Sequence, residues 1–197
     1  MNSISDTYLS IAAPAQGSYK ELGSKFLAFA HPVETEEAAK AVLDQVRKAY
    51  FDARHHCYAW RLGRTGEPFR MNDDGEPSST AGRPIHGQLL SHGLSDIVVV
   101  VVRYFGGTKL GVPGLIRAYK SATQDAIAHA RIIEKVAGET LSVSFDYLQM
   151  NDVMKVLKDL DITPLDQQFD LRCTLTARVR LSRVEEFRKQ LAFCQIN

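Results

Sequence analysis

At 197 residues the chain has room for one substantial domain or two small ones. Its hydrophobic fraction of 45% is that of a globular protein, and 24 basic against 23 acidic side chains leave a formal net charge of +1. That balance excludes attachment to nucleic acid or membrane by overall charge, so any such binding needs a local patch.

Cys57, Cys173 and Cys194 are widely spaced and form no CxxC pair, which gives no support to a zinc ribbon or a disulfide framework. Free thiols suit a reducing compartment. The N-terminal MNSISDTYLS has neither the basic region nor the apolar core of a signal peptide. The valine-rich run after Asp96 is far shorter than the roughly 20 residues of a membrane helix. The expected localisation is cytoplasmic, with no membrane partner.

In chain order, Tyr19 to Val33 reads as a hairpin turning at Gly23 and Ser24. Thr35 is the expected N-cap of a helix in which Ala38, Val42, Leu43 and Val46 recur at helical spacing as far as Tyr50. His56 to Leu62 reads as a strand, closed by the turn residues GRTGEP. A polar loop, NDDGEPSSTAGRP (Asn72 to Pro84), follows, and Ser79 or Thr80 is placed to cap a short helix ending at Gly93. Ile97 to Val102 are all β-branched, which predicts a strand buried on both faces. That strand runs into Arg-Tyr-Phe-Gly-Gly and then a predicted helix from Pro113 to Ile133, with Leu115, Ala118, Ala122, Ala126, Ala130 and Ile133 on one stripe. Beyond Ala137-Gly138 the pattern is strand (Thr140 to Phe145), helix (Tyr147 to Leu160), two strands (Ile162 to Arg180) and helix (Arg183 to Ala192). This β-α-β-β-α order is close to a ferredoxin-like unit, so the expected division is residues 1–135 and 136–197.

The loop after the valine-rich strand invites a phosphate-loop reading, but Gly106-x-x-x-x-Gly111 is followed by Val112-Pro113 rather than Lys-Ser/Thr. A dinucleotide fingerprint fails as well, because its glycine spacing is not met. What remains is a set of backbone N–H groups near a helix start with Arg103 and Lys109 close by, able to meet an anion or to serve as a tight connection. Asn72-Asp73-Asp74-Gly75-Glu76-Pro77 gathers three carboxylates without EF-hand spacing, and a structural turn is the favoured reading. His55-His56-Cys57 places no two histidines on one face of a strand, so structural roles outweigh a metal or a Cys-His nucleophile. Ser78-Ser79-Thr80 lacks the GxSxG elbow. Arg117 and Lys120, with Lys109 and Arg103, form either a local basic patch or a solvated helix face.

Several uncommon strings point to one family. Asp73-Asp74-Gly75-Glu76-Pro77-x-x-Thr80-Ala81-Gly82-x-Pro84 and Arg103-Tyr104-Phe105-Gly106-Gly107-x-x-Leu110-Gly111 strongly resemble the IMPACT/YigZ family, as do Ala53-x-His55-x-Cys57-x-Ala59 and Arg117-Ala118-Tyr119. Ser79 and Pro113 stand where the family usually has glycine. The resemblance, which covers residues 18–130, implies an α+β protein: a ribosomal protein S5 domain 2-like domain followed by a ferredoxin-like domain, without the RWD domain of eukaryotic members. Those members dampen a stress-activated translation kinase by competing for its activator. For this chain the resemblance implies a translation-linked regulatory protein that binds RNA, the ribosome or a translation factor through the two loops. The implied ligand or RNA contacts are Asp73, Asp74, Gly75, Glu76, Thr80, Gly82, Arg103, Tyr104, Gly106, Gly107, Lys109, Gly111, Arg117 and Tyr119. No catalytic residue is assigned and no cofactor is expected. Two rivals remain: a metal-assisted hydrolase of a small phosphorylated substrate, and a purely protein-binding module.

Overall fold

Hairpin, helix and buried-strand signals in the first part of the chain join in one sheet in the computed structural model, which describes residues 6–170 and 172–197. Two compact units divide the chain, one spanning 8–135 and the other 136–197 with Asp6 and Thr7. The first contains Thr7–Ile11 (β1), Ala15–Glu21 (β2), Ser24–Pro32 (β3), Glu36–Ala49 (α1), His55–Arg61 (β4), Phe69–Asn72 (β5), Gly82–Ser91 (α2), Ile97–Tyr104 (β6), Gly111–Ala128 (α3) and Ile132–Val136 (β7). The second contains Gly138–Asp146 (β8), Met150–Asp159 (α4), Pro164–Gln168 (β9), Arg172–Arg180 (β10), Leu181–Gln190 (α5) and Gln195–Ile196 (β11). The protein is α+β.

β6 sits at the centre of an antiparallel sheet of order β2-β3-β6-β4-β5. Its side chains alternate between two cores, which explains why the sequence offers no polar position. Ile97, Val99 and Val101 face a cluster with Leu115, Ala118 and Ala122 of α3 and Ile85 and Leu89 of α2. Val98, Val100 and Val102 face Ala39, Leu43 and Val46 of α1. The expected N-cap on α1 is present, with the Ala38 N–H donating to Thr35 Oγ1 at 3.1 Å.

Three local expectations are corrected. α3 ends at Ala128, and Ile132–Val136 is a strand paired with β1, because the β-branched residues there find a partner more than a hundred positions upstream. β5 was not foreseen; Phe69 and Met71 alternate with Arg70 and Asn72, but the run is only four residues long and all four are exposed at the sheet edge. Neither Ser79 nor Thr80 caps α2: Thr80 Oγ1 instead donates to the Pro77 carbonyl at 2.6 Å. In the second unit, β11-β8-β10-β9 form one sheet, and Val153, Val156 and Leu157 of α4 join Val184 and Phe187 of α5 in its core.

Candidate functional site

The register of the first sheet sets Phe26 of β3, Arg103 of β6 and His55 of β4 side by side across three strands. Arg103 leaves only 9% of its side chain exposed, and a buried guanidinium needs a counter-charge. Glu76 supplies it, accepting from Arg103 Nη1 with both oxygens at 2.6 and 2.9 Å. The Tyr119 hydroxyl donates to Glu76 Oε1 at 2.7 Å. Burial, reinforced by Cys57 and Glu76, pushes the Tyr119 phenol up, so it stays a donor. Burial likewise raises Cys57, whose thiol lies 3.0 Å from the Asp73 carbonyl oxygen. The Arg103 guanidinium carbon is 5.6 Å from the centroid of Phe26 and 5.7 Å from that of Phe105. Phe26 in turn meets Tyr119 edge-on, with ring centroids 5.1 Å apart. Arg103 Nε is buried without a partner.

The other two carboxylates of the acidic turn are also engaged within the protein. Asp73 accepts from Ser79 N at 2.8 Å, Ala81 N at 3.0 Å and Gly82 N at 2.8 Å, so it closes the turn and caps the start of α2. Asp74 accepts from Arg47 Nη2 at 3.0 Å and from His56 N at 2.7 Å. Its carbonyl oxygen lies 2.8 Å from His55 Nδ1, which places that ring proton on Nδ1. Gly75 has φ +86°, and Ser79 holds φ +63°, a left-handed backbone that carries a side chain. A Cβ on Gly82 would come within 2.7 Å of the Asn72 backbone, so glycine is needed for the close pass between β5 and α2.

The Gly-Gly loop is built differently. Gly106 donates its N–H to Ser24 Oγ at 3.1 Å, and a Cβ there would lie 1.9 Å from the Gly23 carbonyl carbon. Only glycine permits that contact. Gly107 and Gly111 take φ +90° and +69°. The Tyr104 hydroxyl donates to Asp52 Oδ1 at 2.7 Å, a bond that pushes its phenol up to about 12. Arg117 pairs with Glu21, which holds the glutamate down and the guanidinium up, on the exposed side of α3. Lys109 is exposed and takes part in no ion pair among the described residues.

Both loops open on one cleft of about 920 Å³, lined by Asp52 to His55, Glu76, Pro77, Arg103 to Phe105, Lys109 to Val112 and Leu115. Of the residues expected from sequence, it brings together Glu76, Arg103, Tyr104, Lys109 and Gly111. Asp73, Asp74, Gly75, Thr80, Gly82, Gly106, Gly107, Arg117 and Tyr119 lie outside its lining. Asp52, Arg54, His55 and Phe105 line it and were not among the expected contacts. Arg54 resembles Lys109 in being exposed and without an ion pair among the described residues. Phe105 was the more findable of these, since an aromatic residue directly before a Gly-Gly turn has little core to enter. Among the described residues no group of three or more His, Cys, Asp or Glu side chains is placed to hold a metal. None of their helices is long and apolar enough to cross a membrane.

A model of the Impact N-terminal domain matches residues 22–127, a span that includes both loops and strands β3, β4, β5 and β6 of the sheet. The IMPACT family member YigZ of Escherichia coli is 32% identical over 189 residues, covering 95% of this chain and 93% of that protein. YvyE of Bacillus subtilis, also an IMPACT family member, is 35% identical over 136 residues, 69% of this chain and 63% of its own. A crystal structure described only as a hypothetical protein superposes with a TM-score of 0.73 at 30% identity, covering 98% of this chain and 97% of the other. The loops, the cleft between them and these similarities agree: the chain belongs to the IMPACT family.

Proposed function

We propose that this chain is a cytoplasmic, translation-linked regulatory protein that binds RNA through the phosphate backbone, using the cleft between the two loops. One observation carries the reading: Arg54 and Lys109 stand on the cleft lining as exposed cations without ion pairs among the described residues. Cations so placed release counterions when they meet phosphates, which gives affinity without requiring a basic protein. The link to translation rests on family membership and on the role of the eukaryotic members. The finer fold reading belongs with it. The strand order β11-β8-β10-β9, with a β-α-β-β-α-β succession, supports a ferredoxin-like second domain. The first unit is read as ribosomal protein S5 domain 2-like.

The hydrolase alternative loses its carboxylates, because Asp73, Asp74 and Glu76 are already engaged by backbone N–H groups, Arg47, Arg103 and Tyr119. RNA co-sedimentation or anisotropy across a salt series tests the proposal. In the Arg54→Ala/Lys109→Ala variant, the slope of log affinity against log salt falls by about 0.7 to 0.9 for each cation removed. An unchanged slope with unchanged affinity overturns it.

A further inference from the structure

Tyr119, Phe26, Arg103 and Phe105 form a column that rises from the core to solvent. Tyr119 is fully buried and meets Phe26 edge-on. The Arg103 guanidinium lies over both rings, its carbon 5.6 Å from the centroid of Phe26 and 5.7 Å from that of Phe105. Its position is not adjustable, because Glu76 grips Nη1 with both oxygens and Glu76 is itself held by Tyr119. The column ends on Phe105, which is 58% exposed. An exposed phenylalanine normally samples several rotamers, and ordering it on binding costs conformational entropy. Here a cation lies over the ring, and among the described residues no aromatic ring partners Phe105.

We infer that Phe105 is a stacking platform for an unpaired RNA base, and that the cleft therefore takes single-stranded RNA in preference to a duplex. The inference rests on the phosphate-binding reading above and specifies its substrate class. Three features argue for it together. The ring and Lys109 line the same cleft, so a base on the ring brings its phosphate into the cleft that this flexible lysine serves. A base extends the column in the way the guanidinium does from beneath, by laying a flat π face on Phe105. A duplex cannot make this contact, since its bases are already stacked on one another and only their edges reach the grooves. The platform reads no hydrogen-bond pattern, so it selects strandedness and not sequence.

The test uses the full chain, with a labelled single strand of about a dozen mixed-sequence nucleotides and the duplex of the same sequence, followed by fluorescence anisotropy. The wild type is expected to bind the single strand more tightly than the duplex. Phe105→Ala and Phe105→Leu are expected to weaken single-strand binding by about tenfold, the low end for one stacked base, with duplex affinity and salt slope unchanged. Phe105→Trp is expected to keep the single-strand affinity, and the emission of its new exposed indole to be quenched by the strand; Trp60 is buried and contributes a constant background. Equal affinity for single strand and duplex overturns the inference, as does wild-type behaviour of the alanine and leucine variants. If those variants are indifferent while Arg54→Ala/Lys109→Ala still lowers the salt slope, only the stacking fails. If the wild type binds neither nucleic acid, both readings fall.

Discussion

The acidic turn and the Gly-Gly loop look equally rich in chemistry as sequences, yet they spend it in opposite ways. In the acidic turn each carboxylate has a donor inside the protein: three backbone amides for Asp73, Arg47 and a backbone amide for Asp74, Arg103 and Tyr119 for Glu76. In the Gly-Gly loop the backbone is fixed, while Phe105 and Lys109 are left facing solvent. The lesson is that a cluster of charged residues indicates a ligand site only after its internal partners are counted. One loop supports the site and the other presents it.

That contrast can be broken most forcefully at Glu76. Glu76→Ala leaves Arg103 buried and unpaired, and is expected to cost about 3 to 5 kcal/mol in urea unfolding. Replacing both partners, as Glu76→Leu with Arg103→Met, is expected to recover much of that loss; a single variant within about 1 kcal/mol of wild type would put the pair in the class of weak surface bridges. Next in size, Asp73→Ala strands the amides of Ser79, Ala81 and Gly82 and is expected to cost about 1 to 3 kcal/mol. Hydrogen exchange should accelerate at those amides and stay unchanged at Gly106; uniform acceleration through both loops would erase the distinction between them. A smaller, opposite effect is expected at Ser79, whose left-handed backbone carries a side chain. Ser79→Gly should stabilise the chain by about 0.5 kcal/mol, the steric relief slightly exceeding the entropy that glycine adds to the unfolded state. A destabilised variant in chemical unfolding would mean that the serine is held by something other than its backbone. Smallest of all, Arg54→Ala/Lys109→Ala should leave stability within about 0.5 kcal/mol of wild type, since neither cation has a partner to lose. A larger loss would move these residues from the presenting side to the supporting one.

Much of the frame was legible because single residues carried strong local signals. Ile97 to Val102 admitted no amphipathic alternative, and Thr35 stood one residue before a helical pattern. The α+β class followed from such signals, and the family from the uncommon strings of the two loops. What stayed hidden depended on distant pairings. β7 pairs with β1 across most of the first unit, and β5 is four exposed residues, too short for its alternation to stand out. The cap on α2 comes from Asp73, eight residues before Ala81, whereas local capping rules look to Ser79 and Thr80. At the site, Glu76 and Arg103 were visible as charges, but only the sheet register makes them a buried pair. Arg54 and Phe105 enter the cleft because the β4 and β6 ends stand together, a fact of register that neither residue announces.

The contact between Gly106 and the Gly23-Ser24 turn of the β2–β3 hairpin has a kinetic consequence. With backbone against backbone and a serine hydroxyl tying them, the loop cannot swing without dragging a strand of the central sheet. The platform is therefore fixed when the domain folds, before any encounter. Association should then proceed in a single concentration-dependent phase with no slower isomerisation behind it, and binding strength should be set by how long the complex lasts.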